Sequence, residues 1–272
     1  MTDPLASAAQ VGRIAALAAA GERDLRRRVA EYPDLFADRS FDAALLHAVA
    51  LANATAAPES TVDALRVADR ATLFVFALDR LVDAGAADPG PALADCRAVA
   101  AGAPAVGDLG RLLAVVRADI PSGRRPFWSA ALDKTITAME RERRWLAGPG
   151  PSFAEYLDNA DNTGFVFVAV SHWLRTLDGL STLDGLLTAA RAGQRVLRLV
   201  NDLATHDRDA ATGDLNALAL VDRSTVEGAL DRETRRFRRL LDGLEPAQGA
   251  VLARQIGFAV GFYDVTDFWG GR

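Results

Sequence analysis

Apolar residues recur three and four positions apart along nearly the whole chain, the period of a helix that buries one face. The first such run starts at Val11 and continues until Pro33 stops it; a second covers 41–54. A long third helix is expected over 61–85, with Ser60 or Thr61 able to cap its start. A turn over 85–91 leads into a helix over 92–101. After the 102–107 loop another segment ends near Pro121. The run 126–150 gives a long helix closed by Gly148-Pro149-Gly150, and 151–180 reads as a helical pair or one interrupted helix. Strongly helical 184–205 follows, then 224–244 and 246–269. The stretch Thr163–Val170, TGFVFVAV, has the local look of a buried strand. It stands almost alone, without the alternation of strands and crossover helices that a parallel sheet needs, so a central helix is preferred.

Composition agrees. Alanine, leucine and arginine dominate, and β-branched and aromatic residues are sparse. Of 272 residues 50% are hydrophobic, ample for a buried core, and no composition shift marks a linker. The expectation is one all-α domain over 1–272, a single helical bundle with short loops. The formal charge of -5 disfavours a nucleic-acid partner held by backbone attraction. No apolar run reaches the ~20 residues of a membrane span. The amino-terminal stretch reads as helix, not signal peptide, so a cytoplasmic protein without stable membrane insertion is expected. The single cysteine, Cys96, excludes an internal disulfide framework and a Cys-rich metal site.

Two acidic clusters carry the candidate chemistry. In FVFALDRLVDAG, Asp79 and Asp83 lie four apart, on one helical face about a turn from each other. They follow a nearly apolar stretch and sit near a helix C-terminus, where the dipole disfavours carboxylates unless a cation compensates. Mg²⁺ suits the role, because it takes carboxylate oxygens and keeps waters while contacting substrate phosphates. The plainer account is a helix ending in two solvated acids beside Arg80. In RLVNDLATHDRDAATGDLNAL, Asn201, Thr205 and Asp209 occupy i, i+4 and i+8, a polar stripe of hard oxygen donors if the helix continues. Here the plainer account is a helix terminus with local hydrogen bonds. Together, the stripes can face each other across a bundle cavity.

The pair resembles the metal-binding motifs of class I terpene synthases, especially the small bacterial diterpene synthases. The first motif, usually Asp-Asp-x-x-Asp, appears as Asp79-Arg80-Leu81-Val82-Asp83, with arginine replacing the second acid. The second reads Asn201-Asp202-Leu203-Ala204-Thr205-His206-Asp207-Arg208-Asp209, with aspartate as its final acid. The resemblance implies a class I helical bundle and three Mg²⁺ ions that bind and activate a prenyl diphosphate. Asp79 would be the principal ligand on one side with Asp83 assisting, and Asn201, Thr205 and Asp209 would hold the third ion. Arg208 would contact the diphosphate, with Arg198 and Arg80 as secondary candidates. Alignment on Tyr156 and Gly164 puts Ala160 where relatives carry a diphosphate-sensing arginine; neighbouring Asn159 could make part of that contact, and Gly164 suits a kink, a carbonyl turned toward the cavity or, equally, close packing. Tyr263 could fill part of a C-terminal Arg-Tyr pair, and Phe76, Phe165 and Trp269 are candidate cation-stabilising rings. These departures imply the divergent diterpene branch, acting on a geranylgeranyl or copalyl-type C20 diphosphate. The alternatives are a sesquiterpene synthase, a chain-elongating prenyltransferase and a noncatalytic helical binding protein. A homodimer is a further implication, since such relatives are often dimers.

Overall fold

A computed structural model describes residues 3–83 and 88–270, without the side chain of Asn162. Eleven α-helices are present among them: α1 (Pro4–Glu31), α2 (Ala43–Ala56), α3 (Val62–Asp83), α4 (Gly90–Ala101), α5 (Asp108–Ala118), α6 (Arg125–Leu146), α7 (Phe153–Asp158), α8 (Phe165–Thr176), α9 (Leu183–Thr212), α10 (Arg223–Leu241) and α11 (Pro246–Val265). Three short 3₁₀ turns join them, and no strand occurs among the described residues. The all-α bundle expected from the hydrophobic period is the fold.

The boundaries follow local chemistry. Asp42 accepts hydrogen bonds from the amides of Ala44 and Leu45 at the start of α2, and Ser152 with Glu155 forms a reciprocal cap on α7. Prolines 4, 91, 126 and 246 stand in first turns, where a missing N–H costs nothing. α1 begins seven residues before the periodic run because Asp3 and Pro4 start it, and α11 ends at Val265, short of the expected 269. α9 continues past 205 to Thr212, which puts Asp209 on the same helix as Asn201. Much of the turn expected over 85–91 lies outside the described residues, and Gly90 and Pro91 already belong to α4.

α8 is the strand-like stretch, and its surroundings explain its composition: every residue from Phe165 to Ser171 is buried. It packs against α3, α6 and α9. Phe74 of α3, Trp128 of α6 and Phe167 of α8 meet in the core with ring centroids 5.5–5.8 Å apart, and the Trp128 indole donates to Ser171 Oγ at 3.0 Å. This side of α3 is solid. Its other side, with α2, α6, α8, α9 and α11, encloses a cavity of about 640 Å³.

Candidate active site

α3 enters the cavity wall through Thr72, Val75, Phe76, Asp79 and Asp83, a single face by helical spacing. Asp79 is half-buried and Asp83 is exposed at the mouth. Both carboxyls are pushed above the usual aspartate range, first by desolvation and then by neighbouring negative charge: Glu142 for Asp79, and Asp79 itself for Asp83. Asp214, just beyond α9, adds to both. Four acids therefore crowd the mouth, and one of them, Glu142, lies outside both acidic clusters of the sequence. The signal was its spacing, since it continues the stripe Trp128, Leu132, Thr135 and Met139, all buried on α6.

α9 supplies the opposite wall. Asn201 and Asp209 line the cavity, and Asn201 is hydrogen-bonded to Tyr263 of α11. Thr205 is buried behind the wall, its hydroxyl 2.7 Å from Asp209 Oδ2 and 2.8 Å from the Asn201 carbonyl oxygen. The Asn216 amide donates to the same Asp209 oxygen at 2.9 Å and to the Asp202 carbonyl at 3.0 Å, fixing the turn after α9 against the stripe. Gly213, at φ +82°, makes that reversal possible.

Arg198 is half-buried in the wall. It donates to Glu142 at 2.6 Å and to the Leu215 carbonyl at 2.8 Å, contacts Asp202 at 3.3 Å, and hydrogen-bonds the Tyr156 hydroxyl. The Tyr156 hydroxyl also donates to Asp202 at 2.8 Å. This cluster joins α6, α7 and α9 behind the acids and offsets part of their charge. Arg208 bridges Asp209 at 3.1 Å and Asp267 at 2.8 Å, and Asp267 accepts the Trp269 amide at 2.7 Å. The C-terminal residues Phe268 and Trp269 are thereby held on the cavity wall.

Three of the remaining candidates are engaged with the protein itself in this structure. Asn159 is buried off the cavity with its amide donating to the Ala138 carbonyl at 2.8 Å, so it joins helices and faces no ligand space. Gly164 also lies off the wall: at φ +71° it packs so tightly on α3 that a Cβ would stand 2.4 Å from Val75 Cγ1. Arg80 borders the cavity, but its guanidinium is ion-paired with Asp38 and lies over the Trp269 ring at 5.6 Å. Phe76, Phe165, Tyr263 and Trp269 line the wall: Phe76 meets Trp269 edge to face at 5.0 Å, and Phe268 packs on both Phe76 and Tyr263.

The donors are hard oxygens on two facing helices, with excess negative charge at the mouth. Among the described residues no three His, Cys, Asp or Glu side chains converge into a ready-made cage. Mg²⁺ keeps waters and takes one or two carboxylates together with phosphate oxygens, so the carboxylates and the Asn201 amide oxygen on the two helices are donors of the right kind. The residues fit the ion.

Comparison with known proteins agrees. Residues 69–240 match the family model for terpene synthase family 2, C-terminal metal binding, a span that holds both acidic stripes. An ent-pimara-9(11),15-diene synthase from Streptomyces sp. strain KO-3988 is 34% identical over 158 residues, 51% of this chain and 52% of that protein. The match thus spans about half the length of that relative. Linalool/nerolidol synthase from Streptomyces clavuligerus, solved with 2-fluorogeranyl diphosphate, superposes with a TM-score of 0.70 at 14% identity, covering 89% of this chain and 94% of that one. For 2-methylisoborneol synthase from Streptomyces coelicolor A3(2), solved with Mg²⁺ and geranyl-S-thiolodiphosphate, the TM-score is 0.69 at 14% identity, with 94% and 91% covered. With the family model matched over most of the bundle, the chain belongs to the terpene synthase family.

Proposed function

We propose that this protein ionises an allylic prenyl diphosphate and guides the resulting carbocation to a terpene. One observation carries the reading: Asp79 and Asp83 on α3 face Asn201 and Asp209 on α9 across the mouth of one cavity. A charged end and a greasy interior match a ligand with a diphosphate head and a hydrocarbon tail. Mg²⁺, held by Asp79 and Asp83 on one side and by Asn201, Thr205 and Asp209 on the other, would supply positive charge to the leaving diphosphate. For Thr205 to take part, its hydroxyl must turn away from Asp209. Arg208 is near enough to the ligand set to meet diphosphate oxygens, exchanging part of its contact with Asp209. Phe76, Phe165 and Trp269 exclude water and offer π-faces to the cation.

On chain length, the fold neighbours favour the shorter-chain alternative, since linalool/nerolidol and 2-methylisoborneol synthases are sesquiterpene or monoterpene enzymes. The C20 expectation rests on the departures in both motifs and on the likeness to a pimaradiene synthase. The purified protein is to be incubated with C10, C15, linear C20 and bicyclic C20 diphosphates and Mg²⁺, with diphosphate release and product masses measured. Turnover of at least one substrate is expected, and its identity sets the chain length. Asp79→Asn and Asn201→Ala should each lower turnover by roughly 100-fold or more while keeping helical content. A folded protein that turns over none of the four sinks the reading.

A further inference from the structure

Three polar side chains interrupt the otherwise apolar end of the cavity away from the acids, where a hydrocarbon tail does not require them. Thr72 stands seven residues before Asp79 on the same face of α3, roughly 10 Å deeper. Gln255 stands eight residues before Tyr263 on α11, at a similar depth. Asn53 of α2 lies beside them, its amide donating to Asp69 at 2.9 Å and reaching Thr72 Oγ1 at 3.4 Å. That leaves the amide of Asn53 committed to the protein, while the residue itself lines the cavity.

Below this floor lies a small hollow of about 10 Å³ that shares Asn53, Val168 and Gln255 with the main cavity. It continues the cavity along four helices. On α8 the wall runs from Phe165 and Val168 to His172, and on α3 it runs from Thr72 to Ala68. A single water needs about 10–15 Å³ and two to four polar partners. Asn53, Gln255 and His172 provide them. His172 Nδ1 lies 3.4 Å from the Ala64 carbonyl, which favours the tautomer that donates there and leaves Nε2 as an acceptor. Burial lowers the affinity of His172 for a proton and so favours the neutral ring, which keeps one nitrogen lone pair.

We propose that Asn53, Gln255 and His172 hold one water at the deep end of the cavity, and that this water captures the last carbocation to give a terpene alcohol. The inference rests on the ionisation reading above and adds the class of product. The water's lone pair forms the new C–O bond. One O–H bond then breaks, and its proton passes to His172 Nε2, leaving a neutral alcohol and an imidazolium that returns the proton to solvent after product leaves.

The test uses the full chain with Mg²⁺ and the prenyl diphosphate it turns over, in water enriched in ¹⁸O. Diphosphate release reports ionisation, and mass spectrometry reports oxygen in the product. The wild type should give mainly a cyclised or rearranged alcohol carrying one ¹⁸O. Gln255→Leu and His172→Phe should each move at least half of the product, normalised to diphosphate released, from alcohol to hydrocarbon. Asn53→Leu also strips Asp69 of its hydrogen bond, so the other two variants decide the matter if it fails to fold. Diphosphate release with only hydrocarbon products, or an unchanged alcohol fraction in both folded variants, overturns the water site and leaves the ionisation reading standing. Absence of diphosphate release removes both. A crystal structure of the wild type should show an ordered water between Asn53 and Gln255, and a dry hollow counts against the proposal.

Discussion

At the scale of single residues, the cavity floor owes its shape to a carboxyl that ordinary accounting would avoid. Asp69 is buried between α1, α2 and α3, with Oδ1 accepting from Asn53 and Oδ2 pressed against Gly21. A Cβ at position 21 would stand 2.4 Å from that oxygen, so glycine is what lets α1 come this close. Desolvation, with the nearby charge of Asp24, pushes the Asp69 carboxyl up to about 7. The sign of the pH effect follows. Below about pH 4 both folded and unfolded chains hold the proton, and the site carries no penalty. Between about 4 and 7 the folded chain keeps a proton that the unfolded chain gives up, so the unfolding free energy falls as pH rises. At ~1.4 kcal/mol per pKa unit the loss totals a few kcal/mol and is complete above about pH 7. Asp69→Asn keeps an acceptor for Asn53 and removes the titration. Urea unfolding at pH 5 and pH 8 should show a stability gain at pH 8 for the variant and a flatter pH dependence than the wild type's. An equal slope in the two proteins contradicts this account.

At the scale of elements, the hydrophobic period located every long helix, because a helix that buries one face must repeat near 3.6 residues. Period says less about ends. α1 and α9 outran their apolar stripes, since a cap at Asp3 and the turn at Gly213 decide where those helices begin and stop. The facing acids were legible because Asp79 with Asp83, and Asn201 with Asp209, recur at whole turns of their helices. Glu142 and the polar floor were not, since each lies on a different element and only the packing of α6, α2 and α11 brings it to the cavity. Asn159 and Gly164 are the reverse case, each engaged in packing in this structure. Position in a motif suggested a ligand contact, whereas one amide holds α6 and the glycine lets α8 rest on α3. Gly164→Ala tests that close approach. It adds a left-handed penalty of about 1 kcal/mol and a clash with Val75, together roughly 2–4 kcal/mol of lost stability. The double variant Gly164→Ala/Val75→Ala should recover part of what the two single variants lose, giving a coupling of about 1 kcal/mol or more in a denaturation cycle. Strict additivity refutes the contact.

At the scale of the whole molecule, the polar ends and the solid core divide the work. The aromatic core of Phe74, Trp128 and Phe167 anchors one side of α3, so its opposite side holds Asp79 and Asp83 in place against α9. The cost of that arrangement is electrostatic. Asp79, Asp83, Glu142 and Asp214 repel one another at the mouth, and Arg198 compensates only in part. A diphosphate alone adds charge of the same sign and is repelled, while a divalent cation alone relieves the acids but leaves open the positions that phosphate oxygens would occupy. Cation and diphosphate should therefore bind cooperatively, each raising the other's affinity by the same factor. Because ligands that bind only the folded chain stabilise it by mass action, concentrations near 100 times Kd add about 2.7 kcal/mol. For a domain of this size that corresponds to a rise in Tm of roughly 5–10 °C. Thermal denaturation should show almost no shift with inorganic diphosphate alone, a small one with Mg²⁺ alone, and a rise of this order with both, reversed by a chelator. The substitution of Asp79 by Asn should shrink the combined shift more than the shift from Mg²⁺ alone, since it weakens the side of the site that meets both ligands. Additive shifts, or an equal response to diphosphate in the presence of Na⁺ only, would mean that the facing carboxylates do not form one binding site.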